Sequence, residues 1–446
     1  MTPPAAARAH DGADARAEES AAQAPGRGGM SLAQKLLAKA AGREAVRVGE
    51  IVTCKVDLAM FHDSSGPRRL KPMLEELGAP LWDKSRIVLV MDHYVPERSD
   101  DSRRIVRIAR DWARDQALPH VYDAVGICHV VVPQHGHIRP GMFCVGGDSH
   151  SPTGGAFGAY MFGIGSTEML GVVTTGEIWV QVPRTLRLRW DGRLAPGVAA
   201  KDMMLALAGR FGLNGAAWQA VEYAGDAVRA LPMNERMTLA NMSAELGAQV
   251  GLVAPDQVTQ EWLAAHGAPD ADFAGWHSDE GSWQEEHVFD AASLSPQVAS
   301  PFSPANAAGV EATAGTVIHA AYIGACTGAK LDDLRFAAEV LRGRRVAPGV
   351  RLLIAPASHA DRDSAAAEGT LQVLLDAGAQ LLPSACGVCA GYGDSFADHE
   401  TVISSTARNF RGRMGPPGTQ VYLASPYTVA ASAVAGRIAD PREVLA

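Results

Sequence analysis

"TVIHAAYIGACTGAKLDDLRFAAEVL", residues 316–341, decides the fold class. Its first half, "TVIHAAYIGACTG", is an apolar run with no helical spacing. It reads as a buried strand that enters a tight turn. From there apolar residues fall at Leu331, Leu334, Ala338 and Leu341, the spacing of an amphipathic helix. The same pattern, an apolar run ending in polar residues, returns in "RIVLVMDH" (86–93), "MFCVGGDSH" (142–150), "VRLLIAPAS" (350–358) and "TQVYLASP" (419–426). Helical patterns lie between them, such as "LDDLRFAAEVLRG" (331–343) and "ADRDSAAAEGTLQVLLDAG" (360–378). Strands alternating with helices predict an α/β fold of mostly parallel sheets. Ligands in such folds bind beyond the carboxyl ends of the strands, where these polar residues sit.

The chain has 446 residues, room for two or three domains. No apolar stretch is long enough to span a bilayer. A formal charge of −9 is mild and gives no reason to expect a nucleic-acid partner. Six cysteines in this length are no disulfide scaffold, and they suit a reducing, cytoplasmic setting. Residues 1–29 lack an apolar signal core and have almost nothing to bury, which predicts a disordered tail. "SLAQKLLAKAAG" then begins an amphipathic helix with a serine at its head. The Ser- and Pro-rich stretch 293–315 reads as a linker. The division expected is therefore an α/β domain over 30–190, a second over 191–292, the linker, and a third α/β domain over 316–446.

"CGVC" places Cys386 and Cys389 three positions apart in a glycine-rich stretch. The spacing suits a thiol redox pair, half of a zinc site, or part of an iron–sulfur site. Cys326 lies in a turn before a helix, where the helix dipole favours a thiolate. A redox pair does not need Cys326. A zinc ion needs a fourth ligand, for which His399 is the nearest candidate. Three thiolates on a four-iron cube leave one iron without a protein ligand, free to act as a Lewis acid. Cys54, Cys128 and Cys144 stand in apolar surroundings and read as core thiols.

Asp92 and His93 close a strand. A carboxylate beside a histidine holds the imidazole protonated, which suits a general acid. His129 follows, then Asp148, Ser149 and His150 at the next strand end. Gly154, Gly155, Gly158, Gly163 and Gly165 suggest close approach of backbone to a ligand. Glu168 occupies the third glycine position of a dinucleotide fingerprint, so no such fingerprint is present. His135 and His137 read as loop surface. Arg408, Arg411 and Arg413 crowd six residues, and arginine forks pair with carboxylates.

Together "MDH", "GDSHSPTGGAFGAYMFGIGSTEM", "RMTLANMSAELGA", "GACTGAKLDDLRFAA", "CGVC", "ARNFRGRMG" and "VYLASPYTVAASAVAGRIADP" resemble the aconitase family, on its isopropylmalate dehydratase large-subunit branch. The likeness runs from about Met30 to the C-terminus. It implies a three-domain α/β core around a 4Fe–4S cluster held by Cys326, Cys386 and Cys389, with one iron lacking a cysteine ligand. It implies that Asp92 and His93 are the acid pair, and that His129, Asp148, His150 and Glu245 surround the reacting water. Ser149, Arg408 and Arg413 would bind substrate carboxylate. The activity implied is a hydro-lyase acting on a hydroxy di- or tricarboxylate. The family's swivel domain has no counterpart here, so the likeness implies a small subunit supplied as a separate chain. Gly328, Lys330, Ser384-Ala385, Ala407 and Gln134 depart from the family's pattern. Gly328, Ala407 and Gln134 raise the alternative of a catalytically altered, non-catalytic or regulatory relative; a zinc or thiol-redox protein is the other alternative.

Overall fold

The computed structural model describes residues 29–392 and 396–445. The tail expected to be disordered lies, but for Gly29, outside the described residues. The first helix, Leu32–Ala40, begins as the sequence suggests. Ser31 accepts from Gln34 N, and the Gln34 side chain bonds back to Ser31 N, a reciprocal cap.

Most of the chain is organised around three sheets wound alike. The first is wholly parallel, in the order His120–Asp123, Ile87–Met91, Leu58–His62, Phe143–Gly146, Tyr160–Gly163. Its chain begins in the middle strand, adds two strands to one side, then crosses back and adds two to the other. Ile87–Met91 is buried along its whole length because both sheet faces are covered, which explains its unbroken apolar run. The second sheet is also parallel, in the order Val250–Val253, Ala220–Ala224, Thr185–Asp191, Glu285–Asp290. The third has seven strands in the order Ala307–Gly309, Gln297–Ala299, Gln420–Ala424, Thr401–Ser404, Ala320–Ile323, Arg351–Ile354, Gln380–Leu381. A small antiparallel ladder joins Ile51–Lys55 to Glu177–Gln181. No described helix is long and apolar enough to cross a membrane.

Two expectations on local structure are corrected. The stretch 293–315 is no bare linker. Gln297–Ala299 pairs antiparallel with both Ala307–Gly309 and Gln420–Ala424, extending the third sheet at one edge. Three-residue strands in a proline-rich segment are too short to show an alternating pattern. The pattern 360–378 is not one helix. It breaks into His359–Ala367 and Thr370–Asp376 at Gly369, whose φ of 85° no continuous helix allows.

In the first and third sheets the winding reverses beside the starting strand, between Leu58–His62 and Phe143–Gly146 and between Ala320–Ile323 and Thr401–Ser404. Such reversals leave a crevice at the strands' carboxyl ends. Loops leaving both reversals line one cleft.

Candidate active site

The cleft has a volume of 400 Å³. One side is built from His62, Ser64, Ser65, Arg69, His93, His129 and the 147–150 loop. The other is built from Cys326, Cys386, Cys389, Ala407, Arg408 and Arg413. Residues expected from four separate strand ends are thus brought together. Asp92 and Glu245 do not line the cleft; both stand buried behind residues that do.

Asp92 follows the strand Ile87–Met91. Its Oδ1 lies 2.6 Å from His93 Nδ1, and its Oδ2 accepts Cys128 N at 2.7 Å. Burial alone would neutralise both side chains. The ion pair outweighs it, holding Asp92 at about 2 and His93 at about 10. His93 is therefore cationic at neutral pH. Cys386 N donates to Asp92 O at 2.9 Å, so the cysteine turn is tied to the acid pair.

Asp148 leaves the strand Phe143–Gly146. Its Oδ1 accepts from His150 N at 2.8 Å and lies 2.7 Å from His129 Nε2. Burial opposes its charge, but His129 and its hydrogen bonds hold the carboxyl well below the usual range. Burial pushes His129 below its ordinary value, against the pull of Asp148. Glu245 Oε1 accepts Arg408 Nε at 2.6 Å and lies 3.1 Å from His150 Nε2. Against burial, Arg408 and His150 keep Glu245 at about 2. Arg408 Nη1 reaches Ser149 Oγ at 3.0 Å. Arg413 lines the cleft with a buried Nε that has no partner among the described residues.

Three residues that the sequence reading missed belong here. His62 stacks on His93 with ring centroids 3.8 Å apart, and its Nε2 is 3.5 Å from Asp148 Oδ2. Asp63 accepts from His93 N at 3.1 Å and from Tyr94 N at 2.8 Å. Asn241 Nδ2 donates to Cys326 Sγ at 3.2 Å and to Thr153 Oγ1 at 2.7 Å. His62-Asp63 ends a strand as Asp92-His93 does, and Asn241 precedes Glu245 by one helical turn, so both signals were present.

Other expectations change. Burial pushes the Cys326 thiol up to about 12; the helix end, starting only at Leu331, does not win. The glycine run mostly meets protein, not ligand. A Cβ on Gly155 would lie 1.7 Å from Gly251 O, and one on Gly163 would lie 2.6 Å from Asp148 O. His137 is no surface loop residue: its Nε2 is 2.6 Å from Tyr122 Oη. Arg411 turns away to stack over Phe302. Gln134 does not line the cleft but hydrogen-bonds Asp361, a buried carboxylate that a glutamate would repel. His399 is 85% exposed, pairs with Asp398, and offers the cysteines no fourth ligand.

The three thiols fit an iron–sulfur group better than one ion. Among the described residues, the groups with ligand atoms within 4.8 Å of one another are His62, Asp63, Asp92 and His93, and His129, Asp148 and His150. Cys386 and Cys389 hydrogen-bond each other, but with Cys326 they form no such group, so Cys326 stands apart from that pair, whereas sulfurs on one tetrahedral zinc stand roughly 3.8 Å apart. Asn241 donates to one sulfur, and the unpaired Arg413 Nε stands in the same cleft. Donors of this kind tune cluster thiolates.

Comparison with known proteins agrees with this geometry. The model of the aconitase family (aconitate hydratase) matches residues 34–317 and 309–436. The chain belongs to the aconitase family of hydro-lyases, a membership that implies a 4Fe–4S cluster. Among its relatives, it is 42% identical to the 3-isopropylmalate dehydratase large subunit 1 of Methanopyrus kandleri, over 94% of this chain and 100% of that one. It is 40% identical to the probable methanogen homoaconitase large subunit of Methanothermobacter thermautotrophicus, over 93% and 98%. The 3-isopropylmalate dehydratase large subunit 1 of Pyrococcus furiosus is 39% identical, over 94% and 100%.

Proposed function

We propose that the chain is the large subunit of a two-chain dehydratase that moves water across the C–C bond beside a carboxylate of a hydroxy dicarboxylate, of the 3-isopropylmalate type. The observation that carries this is the cationic His93, held by Asp92 on the cleft side facing three thiols and two arginines. Cys326, Cys386 and Cys389 would hold the cluster, with one iron free of cysteine to supply Lewis acidity toward a substrate hydroxyl.

The chain's own residues do the rest. Arg413, which lines the cleft and also hydrogen-bonds Cys389, and Arg408, oriented by Glu245 and Ser149, bind substrate carboxylate. His93 gives its Nε2 proton to the departing hydroxyl, and Asp92 stabilises the cation before transfer. His129, Asp148 and His150 hold the released water by hydrogen bonds. The relatives are named as large subunits, which supports a separate small subunit as the source of the base for the carbon-bound proton. Six free thiols suit a reducing cytoplasm.

The test uses anaerobically purified protein with its small subunit. It should be brown, with a broad band near about 400 nm. Asp92→Asn should keep the colour but lose roughly 100-fold or more in kcat, the usual scale for a general acid. His93 acts in its protonated form, so activity is lost as pH rises through its pKa. Without the Asp92 charge, that alkaline limb should move down from about 10 toward neutrality. Colourless protein carrying zinc, or an unchanged kcat and pH limb, would overturn the reading.

A further inference from the structure

Lys201 is a fully buried lysine at the start of the helix Ala200–Phe211. Its Nζ donates to Ser405 O at 2.9 Å, Thr406 O at 2.6 Å and Thr327 Oγ1 at 3.3 Å. All three acceptors are neutral. Lys330, the other fully buried lysine at this site, has the Asp333 carboxylate at 2.7 Å. A buried cation without a bonded carboxylate is costly and needs an explanation.

The acceptors give one. Thr327 directly follows Cys326. Ser405 and Thr406 stand just before Arg408. These are the two turns that leave the winding reversal of the third sheet. They are stitched together by Thr327 Oγ1 to Ser405 O at 3.0 Å and by Ser405 Oγ to Gly328 O at 3.1 Å. Lys201 reaches both turns from an element of the second sheet. The helix that carries it is itself anchored: Ala200 N donates to Glu235 Oε2 at 2.6 Å, and Asp202 accepts Ala199 N and Gln297 N, each at 2.8 Å.

We propose that Lys201 is a positioning residue that locks the Cys326 turn and the Arg408 turn in one register and sets a positive charge behind the thiolates. The charge half of this rests on reading the cysteines as cluster ligands. Burial lowers Lys201 to about 8, and its attraction to Glu245, Cys389 and Cys326 opposes that fall and keeps the ammonium charged at neutral pH. A lysine in this place couples cluster retention to carboxylate binding, since one ammonium holds the flank of each.

The test compares wild type, Lys201→Met and Lys201→Arg. Iron and sulfide per chain are measured after anaerobic reconstitution, KM and kcat in the complex with the small subunit, and thermal unfolding on the apo-protein. The Met variant should fold, lose at least half its iron, and show KM raised at least tenfold with a smaller change in kcat. The Arg variant should recover part of the iron. A purely structural lysine would lower the melting temperature and leave iron content and KM of the folded protein unchanged, and that result overturns the proposal. Should the Met variant not fold, Thr327→Val keeps the lysine and removes the two bonds of the Thr327 hydroxyl, to Lys201 Nζ and to Ser405 O. It should raise KM about threefold and shed iron in the same direction, and unchanged values overturn the proposal. A colourless wild type overturns the cluster reading instead. The positioning half is then judged on the apo-protein: Cys326 should be alkylated at least fivefold faster in Lys201→Met, and an equal rate overturns it.

Discussion

Residue 328 has no space for a side chain. A Cβ there would lie 2.3 Å from Cβ and Oγ of Ser405, whose hydroxyl bonds Gly324 and Gly328 across the turn. The departure at Gly328 is thus matched by what Ser405 does, and reads as a repacked turn. Gly328→Asn should cost about 1–3 kcal/mol in thermal or denaturant unfolding, the usual penalty for overpacking. Gly328→Asn with Ser405→Gly should recover part of that loss. Ala407, buried and lining the cleft, gives no such account, and nothing in the structure explains it. At this scale much of the site was legible. Polar residues closing apolar runs marked Asp92, His93, Asp148 and His150 as strand-end groups. His62 and Asn241 were not singled out, because a histidine in an apolar run and an asparagine in a helix each have common bland explanations. Only their distances to His93 and Cys326 single them out.

Helix ends away from the cleft are held by neighbouring elements as well as by their own residues. Asp256 caps Gln257–Ala265 by accepting from Val258 N and Thr259 N. Its two oxygens also take both prongs of the buried Arg236 fork, at 2.7 and 2.8 Å, from the helix Met233–Met242. Asp256→Ala removes the cap and leaves a buried guanidinium without its carboxylate. Because Asp256 is partly exposed, the expected loss is about 2–3 kcal/mol by chemical denaturation, toward the lower end of such pairs. Asp256→Asn, which keeps a cap acceptor, should cost less. Element type was readable wherever periodicity ran long. It failed where elements are three residues long, as at Gln297–Ala299, or where one glycine with positive φ divides a helical pattern, as at Gly369.

Across the whole molecule, acid stability should reflect His137, which sits away from the cleft. Burial, with His120, His135 and Arg139 nearby, lowers its pKa to about 4, and Tyr122 Oη bonds its Nε2. An unfolded histidine titrates near about 6.5, so between that value and about 4 the unfolded chain binds more protons. Stability present above the unfolded value is then lost as pH falls through this window. The melting temperature of the wild type should drop across it, and His137→Gln should flatten the slope.

The sequence by itself determined the α/β class, the parallel winding and the residue types at the strand ends, because periodicity and chain polarity are local properties. It also placed the three cysteines in loops. Only the tertiary structure decided that two crossing points, one in each of two sheets, share a single cleft. It alone brought a lysine from the helix of the second sheet behind Cys326, and let burial rather than the helix end govern that thiol. Those outcomes depend on what packs against what, and a side chain's neighbours, dielectric and partners come from chain segments hundreds of residues away.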